Sequence, residues 1–358
     1  MVFGTRPEII KLAGIIEILG TRARTVFSGQ HFDPLLSDVF FNDLSLAPPD
    51  VRLAVGGRTR GHQIGELVLL LEQEFAVHRP QAVIVQGDTN TALSGALAAN
   101  ALDIPLVHVE AGLRSFDRRM PEEHNRVITD HLADVCLAPT EQARDNLLAE
   151  RIPDSRIAVT SNTVIDVASR LIPAPGERAD VLAELGLKAG AFVLATFHRP
   201  ENVDDLDRLA AVMGHLSGLD LPVLFPVHPR TRERLRACGW DAVGQDVHMV
   251  PPVGYRTFLG LAAECAFLLS DSGGVQEEAS VVTRPAIVVR RSTERPEVLG
   301  TFATLIPSLE DLPCTVDRLL ERLDETHRWL ADLPSPYGDG QASARCVRYI
   351  ASSLRALP

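Results

Sequence analysis

Two carboxylates in this chain each close a short apolar run. Asp88 ends Ala82-Val83-Ile84-Val85-Gln86-Gly87-Asp88 and Glu110 ends Pro105-Leu106-Val107-His108-Val109-Glu110, with a helix-length segment between them. In an open parallel sheet the ends of successive strands share one edge, and that edge is where ligands bind. Asp88 and Glu110 are therefore predicted to face one crevice, where a pair of carboxylates points to acid–base chemistry. Two histidines follow later strands, His198 beside Arg199 and His228 close to Arg230. Taken singly, each is equally well a satisfied structural histidine. As a pair with their arginines, they suit the stabilisation of a diphosphate leaving group.

Two turns complement these groups. In Gly4-Thr5-Arg6-Pro7-Glu8-Ile9-Ile10-Lys11 the strand end Val2-Phe3 runs through glycine into a helix with Pro7 in its first turn. Such a helix start offers free N–H groups and positive partial charge, and Arg6 adds a planar donor fork for phosphate. By itself the segment is also an ordinary turn with an exposed arginine. In Ser270-Asp271-Ser272-Gly273-Gly274-Val275 the same order recurs, with Ser272 expected to cap and Gly273 and Gly274 to let a phosphate approach the backbone. Glu278 on the following helix is placed to receive ribose hydroxyls, or is a solvated glutamate. The two turns occupy equivalent places in the two halves of the chain, so two anion cradles are expected to face one cleft. In Pro121-Glu122-Glu123-His124-Asn125-Arg126, Glu122 is a candidate third acidic group, while both glutamates also suit the N-terminus of a helix.

The elements that position these residues alternate throughout. Apolar runs such as Val135–Ala138, Ala191–Ala195, Pro222–Phe225, Val247–Val250, Ala266–Leu269 and Pro285–Val289 are separated by helical stretches such as Asn90–Asn100 and Val275–Val282. Continuous apolar strands between helices predict parallel sheets covered on both faces, an α/β fold. The chain reads as two doubly wound Rossmann-like domains facing a cleft: residues 1–165, residues 166–340, and a final helical segment 341–358 with Val347, Ile350 and Leu354 at helical spacing. The joint is expected between Asn162 and Gly190, where Pro173-Ala174-Pro175-Gly176 interrupts the pattern.

Bulk properties narrow the class. The 358 residues carry a formal net charge of −12, which argues against a nucleic-acid partner but not against a small anion held locally. There is no run long enough to span a membrane and no secretory leader pattern at the N-terminus, so a cytoplasmic location is expected. The cysteines (136, 238, 265, 314 and 346) are far apart and form no Cys-x-x-Cys pair, so no metal knuckle or redox pair is expected.

On these residues the chain resembles the non-hydrolysing UDP-N-acetylglucosamine 2-epimerases. The matching stretches run in family order: Gly4 to Lys11, Gly29-Gln30-His31, Gln86 to Thr91, His108 to Arg114, Met120 to Glu123 with Asn125-Arg126, Ala138 to Glu141, Asn162 to Asp166, His198-Arg199 with Glu201-Asn202, His228-Pro229, Asp271 to Glu278, and Thr293 to Glu297. The resemblance implies a GT-B-like architecture whose C-terminal helix crosses back to the first domain. It implies reversible inversion at C2 of a UDP-linked N-acetylhexosamine through loss and re-addition of UDP, with no metal and no nicotinamide cofactor. It assigns proton transfer to Asp88, Glu110 and Glu122 and the diphosphate to Arg6, His198 and the Ser272-Gly273-Gly274 turn. Phe258 corresponds to the aromatic near uracil and Glu278 to the ribose contact, with Lys11, His31, Arg126 and His228 completing the substrate set. A homodimer is the expected assembly. A hydrolysing epimerase that releases UDP and free sugar, and a GT-B glycosyltransferase, are the alternative readings. Three carboxylates argue against the transferase, which has no need to deprotonate C2. The chain departs from the family pattern at Ser161, where glycine is frequent, at Arg291, where an acidic residue is common, and across Ser280 to Pro285. Met1 also stands close to Gly4, where relatives carry several more residues, so an upstream start is an open expectation.

Overall fold

The computed structural model describes residues 1–30, 41, 43–227, 229–240 and 247–355. It divides into two units, Met1–Val167 with Tyr337–Pro358, and Ala168–Pro336. The crossing falls inside the helix Thr163–Leu171, upstream of the Pro173–Gly176 interruption. The apolar face of that helix (Val164, Ile165, Val167 and Ala168) is buried, so the segment continues as helix across the boundary.

The first unit holds strands β1 (Val2–Phe3), β2 (Val26–Phe27), β3 (Val51–Arg52), β4 (Val83–Gln86), β5 (Leu106–Val109), β6 (Val135–Ala138) and β7 (Ile157–Val159). They form parallel ladders in the orders β1-β2-β3 and β4-β5-β6-β7, with β1 packed beside β4. Helices α1 (Arg6–Leu19), α2 (Arg60–Val77), α3 (Asn90–Ala101), α4 (Pro121–Leu132), α5 (Glu141–Ala149) and α6 (Thr163–Leu171) connect and cover them. Every residue of β4, β5 and β6 is buried, as parallel strands covered on both faces require.

The second unit is one six-stranded parallel sheet in the order β10-β9-β8-β11-β12-β13, from β8 (Val193–Thr196), β9 (Val223–Pro226), β10 (Val247–Val250), β11 (Phe267–Ser270), β12 (Ala286–Val289) and β13 (Ala303–Ile306). Its helices are α7 (Pro175–Glu184), α8 (Pro200–Val203), α9 (Leu206–Ser217), α10 (Pro229–Ala237), α11 (Tyr255–Glu264), α12 (Gly273–Val282), α13 (Leu312–Leu320) and α14 (Leu323–Ala331). Counting from β8, this is the 3-2-1-4-5-6 Rossmann order, whose ligand crevice lies where the strand order reverses. The edge strand β13, with Thr304 exposed, is absent from the sequence reading.

The last helix, α15 (Ala342–Ser353), returns to the first unit and packs on α1, so the expected crossing-back of the C-terminal helix is present. It is tied there by Asp166 on α6, whose carboxylate accepts the backbone N–H of Ala342 (3.0 Å) and of Ser343 (2.7 Å). These are first-turn N–H groups with no partner inside the helix. Asp166→Ala is expected to lower unfolding stability by about 1–2 kcal/mol in a denaturant titration; an unchanged midpoint would show that other groups cap this helix. Ser161, on the approach to α6, has φ +71°, the left-handed region that glycine occupies without strain. Its hydroxyl accepts a bond from Arg345 on α15 (3.2 Å), a tie that glycine cannot make.

Candidate functional site

The sequence motifs fall at the strand-order reversal of each unit. In the first, the loops after β1 (Gly4-Thr5-Arg6) and after β4 (Gly87-Asp88) flank the β1/β4 contact. In the second, the loops after β8 (His198-Arg199) and after β11 (Asp271-Ser272) flank the β8–β11 ladder.

Each carboxylate that ends a strand in the first unit has a cation. Glu110, buried and at φ +67°, accepts Lys11 Nζ from α1 at 2.7 and 2.5 Å, and Gln86 Nε2 at 2.7 Å. A non-glycine residue held left-handed costs about 1–3 kcal/mol and persists where surrounding structure fixes it, often at functional positions. Lys11, expected at the substrate, is thus engaged with a candidate proton carrier, and both side chains of the pair are almost wholly buried. Asp88 is ion-paired to Arg126, whose Nε donates at 3.1 Å, and Arg126 also donates to Glu123 (2.7 Å). Asn125 Nδ2 donates to the Asp88 carbonyl (2.8 Å). The first turns of α4 therefore brace the Asp88 turn. The two glutamates there separate. Glu122 is exposed, whereas Glu123 is buried and accepts the Ser115 and Phe116 N–H groups.

Glu8 joins the two loops of this reversal. Its buried carboxyl accepts Gly4 N–H (3.0 Å), Thr5 Oγ1 (2.8 Å) and, across the gap, Thr89 Oγ1 (2.8 Å) next to Asp88. Gly4 itself admits no side chain, because a Cβ there would lie 1.9 Å from Ser28 Oγ. Burial pushes the Glu8 carboxyl up to about 7, against the opposing pull of its hydrogen bonds. The fold therefore favours protonated Glu8. Its contribution to stability is fully present below the ordinary value of 4.5 and is lost as pH rises through about 7. Glu8→Gln, neutral throughout, is expected to remove a fall of about 3 kcal/mol between those limits. Chemical denaturation of both proteins at pH 4.5 and 8 reads this; parallel profiles would contradict it.

Asp271 performs the corresponding function in the second unit. It is fully buried and accepts the backbone N–H groups of His198 (3.2 Å) and Arg199 (3.0 Å) and Asn202 Nδ2 (3.1 Å). Burial alone would raise its carboxyl, but the bonds and charge from His198, with Asn202 and Arg199, hold it below the usual carboxylate range. His198 Nδ1 lies 3.1 Å from Asp271 Oδ1 while the ring is about half exposed, so the carboxylate orients the imidazole with its other nitrogen outward. Arg6 is half-buried. Ser272 occupies the N-cap of α12, but its hydroxyl makes no capping bond, contrary to expectation. A Cβ on Gly273 would meet Arg295 Nη1 at 2.6 Å and Glu294 Oε1 at 2.7 Å, so any side chain there must displace that ion pair. A Cβ on Gly274 would meet only Ser272 Oγ, at 3.9 Å. Phe258 on α11 and Glu278 on α12 are both buried. Arg291 lines a cavity of about 190 Å³ with Glu201, Arg208 and Arg290.

His31 and His228 lie outside the described residues. Residues the sequence reading did not single out also enter the site: Glu8, Gln86, Glu123 and Asp271. Gln86 and Asp271 carry a signal in hindsight, being polar groups at the ends of apolar strands. Glu8 and Glu123 carry none beyond their motifs. Among the described residues no cluster of His, Cys, Asp and Glu has the arrangement of a metal site, and no helix is long and apolar enough to cross a membrane.

Residues 19–351 match the sequence model of a family described as UDP-N-acetylglucosamine 2-epimerase. A Methanococcus maripaludis protein named UDP-N-acetylglucosamine 2-epimerase is 36% identical, over 98% of this chain and 97% of its own length. A Pseudomonas aeruginosa protein named UDP-2,3-diacetamido-2,3-dideoxy-D-glucuronate 2-epimerase is 37% identical over 98% of both chains. Among solved structures, the Methanocaldococcus jannaschii UDP-GlcNAc 2-epimerase in complex with UDP-GlcNAc and UDP superposes with a TM-score of 0.88, at 37% identity and 98% coverage of each chain.

Proposed function

The chain belongs to the UDP-N-acetylglucosamine 2-epimerase family, and from that premise we propose that it inverts C2 of a UDP-linked N-acetylhexosamine without releasing the sugar. A carboxylate takes the C2 proton. The C–H electrons form a C1=C2 double bond, the C1–O bond breaks, and its electron pair leaves on UDP. UDP then re-adds at C1 of the 2-acetamidoglucal while a proton returns to the opposite face of C2. Atoms and charge balance without a metal or a nicotinamide.

The observation that carries this reading is the pair Asp88 and Glu110 at the ends of the adjacent strands β4 and β5, each poised against its own cation. Inversion at one carbon needs proton carriers on two faces, and Glu122, exposed on α4, is the third candidate. Arg6, His198 and the Ser272-Gly273-Gly274 turn take the diphosphate as charge builds on it. Phe258 and Glu278 take uracil and ribose, with Lys11, Arg126, His31 and His228 supporting the substrate. The enzyme acts in the cytoplasm as a homodimer. N-acetylglucosamine is the default sugar, and the Pseudomonas relative makes a diacetamido uronic acid the alternative.

Positional isotope exchange tests the bond that breaks. UDP-N-acetylglucosamine carrying ¹⁸O in the C1–O–P bridge is expected to move label to non-bridging β-phosphate positions at a rate comparable to epimerisation. Epimerisation with the label fixed in the bridge would rule out C1–O cleavage. Free UDP accumulating in step with free sugar would instead favour the hydrolysing reading.

A further inference from the structure

His108 sits inside β5, fully buried, and belongs to none of the groups assigned above. Its Nε2 lies 2.8 Å from the Gly87 carbonyl and its Nδ1 lies 2.6 Å from Asp130 Oδ1 on α4. A carbonyl only accepts, so Nε2 carries a hydrogen. Asp130 also receives N–H bonds on Oδ2, from Gly112 at 3.1 Å and from Arg114 Nη1 at 2.7 Å, so it too acts as acceptor at Nδ1. The ring therefore donates in both directions. Burial alone would raise the Asp130 carboxyl, but the His108 and Arg114 charges hold it below the usual carboxylate range. Arg114 in turn grips Glu150 with two bonds of 2.7 and 2.6 Å, so the chain of contacts closes with its charges balanced.

The two ends of this chain matter most. Gly87, at φ +68°, immediately precedes Asp88, and its carbonyl is held by His108. Gly112, at φ +85°, closes the turn that begins at left-handed Glu110, and its N–H is held by Asp130. We propose that the buried His108–Asp130 pair is a positioning device that fixes the turns carrying Asp88 and Glu110 at a constant mutual placement. This rests on the reading of those carboxylates as the proton carriers. Small displacements of reacting groups of about 1 Å cost on the order of 100-fold in rate, so such a brace is expected to act on turnover more than on binding.

Two near-isosteric replacements separate the ends. In His108→Gln the amide nitrogen replaces Nε2 and retains the bond to Gly87. In His108→Asn it replaces Nδ1 and retains only the bond to Asp130. With UDP-N-acetylglucosamine, His108→Asn is expected to lose about 30-fold or more in kcat with KM within about 3-fold of wild type, while His108→Gln stays within about 5-fold in kcat. Hydrogen exchange followed by mass spectrometry reads the same claim without turnover. Amides in residues 86–91 are expected to lose protection in His108→Asn and keep it in His108→Gln. If the wild type catalyses no reaction at C2, the functional reading fails and the exchange comparison still decides the positioning claim. Equal losses in both variants that track thermal stability, or wild-type kcat and protection in His108→Asn, would overturn it.

Discussion

Glu110→Gln is expected to lower turnover about 10³-fold and to lower stability as well, and the two losses are separable. The activity loss follows from the proposed role of Glu110 as a proton carrier, an effect of about 10²–10⁴ for a positioned acid or base. The stability loss follows from Lys11. Its ammonium is buried with Glu110 as a carboxylate partner at 2.5 Å, and glutamine removes the negative charge of that partner. Breaking a buried pair from one side costs about 3–5 kcal/mol, whereas replacing both members by neutral groups is often tolerated. The double variant Glu110→Gln/Lys11→Met is therefore expected to regain most of the stability in urea titration while remaining as slow as Glu110→Gln. A double variant that recovers turnover along with stability would show that Glu110 serves the fold and not the chemistry.

Arg295→Ala is expected to cost about 3–5 kcal/mol of stability, the largest effect predicted away from the proton carriers. Arg295 Nε donates to Glu277 at 2.7 Å and the guanidinium is also paired to Glu294, with all three groups at or below 8% exposure. Glu277 lies on α12, so this pairing fixes the helix whose first residues are Gly273 and Gly274. Glu294 keeps Arg290 at 2.7 Å, so Glu277 is the acid left most exposed to the loss. The consequence reaches ligand binding: UDP affinity is expected to fall in Arg295→Ala even at temperatures where the variant is folded. A stability change below about 1 kcal/mol in denaturant titration would mean the buried acids find another cation.

The chemistry-bearing turns were legible because parallel strands buried on both faces leave short, continuous apolar runs. Asp88 and Glu110 end two such runs; the structure places Asp88 at the reversal of strand order and Glu110 at the end of the neighbouring strand β5. Strand β3 was not legible: two residues, partly exposed, carry no periodicity. Partners across the sheet were equally hidden. Lys11 and Glu110 are far apart in sequence, and nothing in a helical lysine predicts which carboxylate it meets. The choice between Glu122 and Glu123 depends on the angle at which α4 enters, which turns Glu123 toward Arg126 and leaves Glu122 outside. Ser272 has the residue type and position of a cap yet makes no capping bond, because type and position do not fix the rotamer. His108 looked like one more residue of an apolar strand until its two hydrogen bonds were visible.

Proton exchange at C2 tests the central claim most directly. The protein is incubated in heavy water with UDP-N-acetylglucosamine, and with other UDP-N-acetylhexosamines, and followed by NMR. Deuterium is expected to enter at C2 as the gluco and manno epimers interconvert, with the sugar still attached to UDP. No exchange at C2 of any UDP-N-acetylhexosamine would contradict the assignment of Asp88 and Glu110 as proton carriers.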